Sequence, residues 1–497
     1  MRVYIARYAA LLVLLSAFML AGCVPQATQE LGGRPAQEPL DAVEIILQRY
    51  QPGPTPRVFQ TTRVYDRNGT LLATRWNEGR RTWVKLDRIS KYLIDATIAT
   101  EDSTFYQNTG VDAARIAGAA LQNAGEGQVV SGASTITMQL AKLLFLAPDV
   151  RLQQSMDRKM LEAGLAQELT GLFTKNELLE MYLNLLNYGH LAYGPEEAAQ
   201  VYFGKSAADL TQAEATLLAG IPQQPGQMDL FTNFAAAKAR QRVVLDLLVR
   251  HGYLTQAVSD AIFAEETPLN PEPDAPYTTN LAPHFVTYVE DWLDSRLGNG
   301  ATVRSGLAIT TTLDLKMQTL AQSVVARKVT ELQPKHDLTN GALVALRPYT
   351  GEVLAMVGSA DFANAAISGQ VNVARSMRQP GSSIKPVLYA TAIEDNLISP
   401  ATVLWDVPAT FDIPGSKPYT PRNYDNKFHG PVTVRTALAN SYNLPAVKLL
   451  NGVGIDRMLT GAEALGIRSL DRGRDYYGLA LTLGGGEITL LELTTAY

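Results

Sequence analysis

A proline-rich stretch, Thr267 to Pro276, divides this chain more sharply than any other feature. Before it, from Lys91 to about Ala264, apolar residues recur at helical spacing: Leu178, Tyr182 and Leu185 stand at i, i+4 and i+7, and Thr211 with Glu214 forms a capping box. After it, two apolar runs flank Pro348 to Gly351, the pattern of neighbouring strands. A change of period across such a break marks a domain boundary. The length agrees, since 497 residues at about 150 per domain give roughly three domains. Charged residues make up 18% and hydrophobic ones 46%, which fits neither disorder nor a coiled coil. Lys plus Arg number 43 against 48 Asp plus Glu, so no overall basic field attracts nucleic acid. No internal repeat is present. β-type residues on both sides of Asn68-Gly69 predict a hairpin that starts the folded part, and residues 277 to 335 read as a small mixed connector.

The N-terminus carries Arg2 and Arg7, an uncharged tract from Tyr8 to Ala21, and then Leu20-Ala21-Gly22-Cys23. Cys23 is the single cysteine, which excludes intramolecular disulfides and cysteine-based metal sites. The tract resembles a bacterial lipoprotein signal, cut before a cysteine that then carries lipid. The other reading is an uncleaved membrane anchor, because the apolar run is about the minimum for a span. Either one tethers the rest of the protein to the cell membrane on its extracytoplasmic side. Residues 24 to 58, with Pro25, Pro35, Pro39, Pro52, Pro54 and Pro56, read as an extended tether with room for a short helix at Ala42 to Tyr50.

Three segments of the helical region hold reactive side chains. Glu101 and Asp102 precede Phe105 and Tyr106, and a carboxylate among apolar and aromatic neighbours loses hydration and becomes a better general base. Taken alone, the pair also fits a solvated helix end. Gly132-Ala133-Ser134-Thr135 is a small-residue turn before Gln139, Lys142 and the apolar run Leu143 to Leu146; backbone N–H groups backed by a lysine suit an anion such as phosphate. Arg158, Lys159 and Glu162 share one helical face, which fits either a surface salt bridge or two cations for a diphosphate beside a second carboxylate.

In order and spacing these segments resemble the peptidoglycan glycosyltransferases of family 51, at the motifs E-D-x-x-F (101 to 105), G-x-S-T-I-T-x-Q-L-x-K (132 to 142) and R-K-x-x-E (158 to 162). A fourth match runs over 178 to 205 and covers Glu180, Tyr182, Asn184, Gly189 and Gly194. The resemblance extends from about Thr61 to Ala264. It implies a mainly α, lysozyme-like domain that takes lipid II from the membrane surface and extends nascent glycan strands. Glu101 would then be the base that deprotonates the acceptor sugar hydroxyl, and Glu162 the second essential carboxylate. Lys142, Arg158 and Lys159 would neutralise the diphosphate leaving group, with a divalent cation such as Mg²⁺ able to assist although no cofactor is required. Asp102, Phe105, Ser134, Thr135 and Gln139 would bind substrate. Attack from the face opposite the diphosphate would invert the anomeric centre. Two positions depart from the family: Asn108 stands where it usually has His, and Met138 where it usually has Gln, which implies an altered rate rather than loss.

Beyond the proline-rich break, Pro380-Gly381 precedes Ser382, with Lys385 three residues on. If Ser382 opens a helix, the two project from one face, and a partly desolvated lysine can take the hydroxyl proton. The tetrapeptide alone fits a capped helix with an exposed lysine better. Ser441 and Asn443 add an S-x-N element. With the strand pair near Pro348, these resemble the penicillin-binding transpeptidase domain over 337 to 497, an α/β fold akin to the serine β-lactamases. The resemblance makes Ser382 the acyl-accepting nucleophile, Lys385 its base, Ser441 a proton relay, and Asn443 a hydrogen-bond partner for stem peptides or β-lactams. No Lys-Thr-Gly or Lys-Ser-Gly occurs and the sequence stops at Tyr497 inside an apparent helix, so this domain is expected to be incomplete and the protein truncated at its C-terminus.

The string at Phe203 to Ser206 lacks the earlier glycine of a phosphate-binding loop, and the five scattered histidines form no zinc motif. The expected organisation is multidomain α+β: 1–23 signal or anchor, 24–58 tether, 59–266 glycosyltransferase, 267–336 connector, 337–497 transpeptidase. That order resembles the class A penicillin-binding proteins, bifunctional peptidoglycan synthases. A non-catalytic cell-wall or β-lactam-binding sensor or scaffold, and a lysozyme-like glycan hydrolase, are the alternatives.

Overall fold

The computed structural model describes residues 58–116, 134–146, 148–151, 153, 155–412 and 417–497. The signal or anchor, Cys23, the tether, and Gly132-Ala133 lie outside the described residues. Among the described residues no helix is long and apolar enough to cross a membrane.

The predicted hairpin forms around Asn68-Gly69, but of the two only Gly69 takes a positive φ, so the turn is not the type I′ that this dipeptide fits. Strand β1 (Thr62–Tyr65) pairs antiparallel with β2 (Leu71–Arg75), and Gly69 takes φ +85°. Asp66 is buried, yet the N–H groups of Thr70, Asn68 and Leu315 hold its carboxyl below the usual range against the cost of burial. The far side of β1 pairs in parallel with β3 (Ala308–Thr310), Val64 opposite Ile309. The hairpin expected to open the glycosyltransferase domain is thus part of the other folding unit. Compact unit 1 takes in Trp83–Asn270, and unit 2 takes in Val58–Thr82 and Pro271–Tyr497.

Unit 1 is built on helices α1 (Lys91–Glu101), α2 (Ile136–Phe145), α3 (Met156–Leu172), α4 (Lys175–Leu185), α5 (Pro195–Phe203), α6 (Gln212–Gly220), α7 (Phe234–Arg250) and α8 (Gln256–Ala264). Their starts are written in the sequence. Thr135, Ser155 and Thr174 accept hydrogen bonds from first-turn N–H groups, and Thr174/Glu177 and Thr211/Glu214 are complete capping boxes. The predicted face Leu178, Tyr182, Leu185 is buried, and α2 packs between α3 and α4. On α3 the buried stripe runs Glu162, Leu165, Ala166, Leu169, so a glutamate occupies a core position.

Unit 2 holds α9 (Pro283–Leu297), β3, α10 (Leu315–His336), and an antiparallel pair β4 (Leu343–Leu346) and β5 (Val353–Val357). The connector expected at 267–336 and the strand pair share one core: Val64, Leu72, Phe285, Val286, Leu313 and Met356 are buried together. Next come α11 (Lys385–Glu394), the antiparallel pair β6 (Val403–Asp406) and β7 (Gly430–Thr433), then α12 (Val434–Ala439), α13 (Asn443–Val453), α14 (Ile455–Ala464) and α15 (Leu490–Ala496). A second core, including Ile384, Leu388, Tyr389, Ala446, Leu450 and Met458, locks α11 against α13 and α14.

Candidate active sites

In unit 1, α1 ends at Glu101, and Gln139 of α2 donates through Nε2 to Glu101 Oε2 at 2.7 Å. The Gln139 amide is oriented by Tyr182 of α4, whose hydroxyl donates to Oε1 at 3.1 Å. Burial, and then the charge of Glu101, raise the Tyr182 pKa well above its usual value, so this phenol stays a donor. One helical turn after Gln139, Lys142 extends from the same helix toward a second cluster. There Glu162 is 1% exposed and is paired with Arg158 and, at 2.8 Å, with Lys159. The carboxylate of this pair is therefore in the core, while the Lys159 side chain stays 40% exposed. Lys159 also donates to Ser134 Oγ at 2.7 Å. Burial lowers the Lys142 pKa, Glu162 opposes the shift, and Lys159, Arg158 and Arg151 reinforce it. Arg151, not anticipated from sequence, donates to the carbonyls of Leu146 at 2.7 Å and Leu143 at 2.9 Å at the end of α2. Arg158 and Lys159 thus pair with one carboxylate, with Lys142 in electrostatic reach of both cations, of Glu162 and of Arg151, and such an excess of positive charge attracts an anion of more than one charge.

Three of the expected substrate-binding residues have partners within the protein. Asp102 is fully buried, and its carboxylate accepts from Asn108 Nδ2 at 3.0 Å on each oxygen, from Thr104 Oγ1 at 3.2 Å and from the Ile136 N–H at 3.1 Å. It ties the end of α1 to the positive start of α2. Phe105 is fully buried under the Lys175 ammonium. Thr135 caps α2 and donates to Gly110 O at 2.6 Å. Asn108, the departure from the family pattern, also accepts from the Gly110 N–H and from Lys175, so its amide knots the loop after Glu101 without a histidine. Met138 is buried on α2 and likewise takes no part in the cluster. In the fourth motif, Glu180 accepts from Trp83, Lys85 and the Leu86 N–H, and Asn184 exchanges hydrogen bonds with the Val84 backbone; both brace the start of the unit.

In unit 2, Ser382 lies exposed in a single 3₁₀ turn, Gly381–Ile384, that runs straight into α11. Lys385 is 1% exposed. Its ammonium donates to Ser441 O at 2.6 Å, Ser441 Oγ at 3.2 Å and Asn443 Oδ1 at 2.7 Å, so its hydrogen bonds go to the S-x-N element rather than to Ser382. Burial lowers the Lys385 pKa to about 8. That is the condition of a general base: a buried amine held by neutral oxygens, able to shed its proton near neutrality. Ser441 has φ +55°, a strained conformation for a serine, immediately before α13. Asn443, expected to meet a peptide or β-lactam, spends its Oδ1 on Lys385 and its Nδ2 on Arg422 O at 2.8 Å, so here it organises the lysine.

Comparison with known proteins matches both regions of the chain. Residues 68–249 match the transglycosylase family, and residues 341–486 match the penicillin binding protein transpeptidase domain. Penicillin-binding protein 2D of Bacillus subtilis is 34% identical over 91% of this chain and 64% of its own length. Penicillin-binding protein 1A of Aquifex aeolicus is 30% identical over 91% of this chain and 72% of its own length. The protein thus spans about two thirds of these relatives. The crystal structure of penicillin-binding protein 1A from Haemophilus influenzae has the same fold, with a TM-score of 0.53 and 23% identity over 89% of this chain and 68% of that one. With a transglycosylase region before a transpeptidase region, each carrying its own polar cluster, the chain belongs to the class A penicillin-binding proteins.

Proposed function

We propose that unit 1 polymerises lipid II into β-1,4 glycan strands and that unit 2 cross-links stem peptides through an acyl-enzyme at Ser382. The observation that carries the first half is that α2 presents Gln139, which holds Glu101, and one turn later Lys142, which faces the Arg158–Lys159–Glu162 cluster. Base and anion site are thus spaced by a rigid element. Glu101 removes the acceptor hydroxyl proton as that oxygen attacks the donor anomeric carbon, and the bond to the diphosphate breaks with its electrons stabilised by the cations. The excess of cations separates this reading from a glycan hydrolase, whose leaving group is a neutral sugar. Glu162 is already bound by two cations, and among the described residues no group of three His, Cys, Asp or Glu could hold a metal.

In unit 2 the Lys385 amine, once deprotonated, takes the Ser382 hydroxyl proton, and the oxygen attacks the peptide or β-lactam carbonyl. Ser441 Oγ, beside Lys385, returns a proton to the leaving nitrogen. A protein that does both works at the extracytoplasmic face of the cell membrane, where lipid II and stem peptides are found. Incubation of the full-length protein with labelled lipid II and with a fluorescent penicillin tests the reading: glycan strands form, and the label is lost in Ser382→Ala. Fragments released from finished glycan with lipid II untouched would instead mark a hydrolase, and acylation without cross-linking would mark a sensor.

A further inference from the structure

Asp406, the last residue of β6, is a fully buried carboxylate with no part in the steps above. A charge so placed is costly unless donors meet it. Two side chains do. Asn423 donates through Nδ2 to both carboxylate oxygens at 2.9 Å, and His429 reaches Oδ2 with its backbone N–H at 3.0 Å and with ring Nδ1 at 2.6 Å. Both then grip the segment Ser441-Tyr442-Asn443. Asn423 Oδ1 accepts from the N–H groups of Asn443 at 2.8 Å and Leu444 at 3.3 Å, first-turn donors of α13 that the helix itself cannot satisfy. The His429 ring stacks on Tyr442, with centroids 4.1 Å apart and planes 14° from parallel. Since Asn443 Oδ1 also accepts from Lys385, hydrogen bonds run unbroken from Asp406 through Asn423 and Asn443 to the base. The left-handed Ser441, which persists only if its surroundings over-determine it, sits at the head of the clamped segment.

We propose that Asp406, Asn423 and His429 form a brace that positions the Ser441–Asn443 segment and thereby holds the Lys385 amine in reach of the reacting serine. They are positioning residues, since none touches the reacting atoms. The inference rests on the transpeptidase reading of this site. It predicts a loss in the chemical step rather than in binding, because misplacing a base by about 1 Å can cost on the order of 100-fold in rate.

The test resolves acylation of the full-length protein by a fluorescent penicillin into a dissociation constant and a first-order acylation rate constant, alongside thermal melts, for wild type, Asn423→Ala and Tyr442→Ala. The brace predicts that the acylation rate constant falls about 10- to 100-fold in Asn423→Ala and about 3- to 10-fold in Tyr442→Ala, with dissociation constants within about threefold of wild type. A folded Asn423→Ala protein that acylates at the wild-type rate overturns the brace. Parallel losses of binding, acylation and melting temperature in the folded variants also overturn it, since they assign a structural role only. If Asn423→Ala does not fold, Tyr442→Ala, which removes only the stack, decides by the same criteria. A wild-type protein that is never acylated overturns the transpeptidase reading itself, before any variant is compared.

Discussion

Single side chains in both units are held in states they would not adopt in water. Lys385, buried with neutral oxygen partners, has its pKa lowered to about 8. Because the neutral amine is the reactive form, Ser382 acylation should rise about tenfold per pH unit below about 8 and level off above it. A pH series of acylation rates checks this, and a flat profile between pH 6 and 8 would remove Lys385 as the base. Glu162 is the opposite case, a buried anion held by Arg158 and Lys159. Glu162→Ala should destabilise unit 1 by about 3 kcal/mol, since breaking a buried pair leaves uncompensated charge. An exposed pair would cost under about 1 kcal/mol, so denaturant unfolding separates the two.

Helices set the distances between these side chains, and their packing has little slack. Gly461 of α14 crosses α11 so closely that a Cβ there would clash with the Thr391 side chain. Gly461→Ala should therefore cost about 1 to 3 kcal/mol, and Thr391→Ala in the same protein should recover part of it, which thermal melts of the double variant would show. At this scale the sequence is legible where the signal is local. The Asn68-Gly69 turn, both capping boxes and the Leu178, Tyr182, Leu185 face all sit within a few residues of their cause. What could not be read depends on distant partners. The pairing of β1 with β3 joins Val64 to Ile309 across about half of the chain, so the hairpin's allegiance to unit 2 leaves no mark near Asn68. Asp102, Phe105 and Thr135 stand beside Glu101 and Gln139 in sequence, and only the folded structure shows that they are buried and that Asp102 and Thr135 hold the loop and helix in place. Arg151 and Asp406 sit in segments with no motif, and their roles come from the carbonyls and amides that folding brings to them.

For the whole molecule, two compact units each assemble a site from their own residues, and net charge is only -5, so each anion or acyl site is made by local placement of charge rather than by a global field. A defect in one unit's reacting group should leave the other unit's chemistry standing: Ser382→Ala should still polymerise lipid II, and Glu101→Gln should still acylate. The polymerising half rests on Glu101 as the base, held by Gln139 and aligned with the cations through α2. The most direct test is the initial rate of glycan formation from labelled lipid II by the full-length protein, wild type against Glu101→Gln, with penicillin acylation confirming that the variant is folded. Loss of a general base predicts a fall of about 100-fold or more. Polymerisation by Glu101→Gln at the wild-type rate would contradict the account.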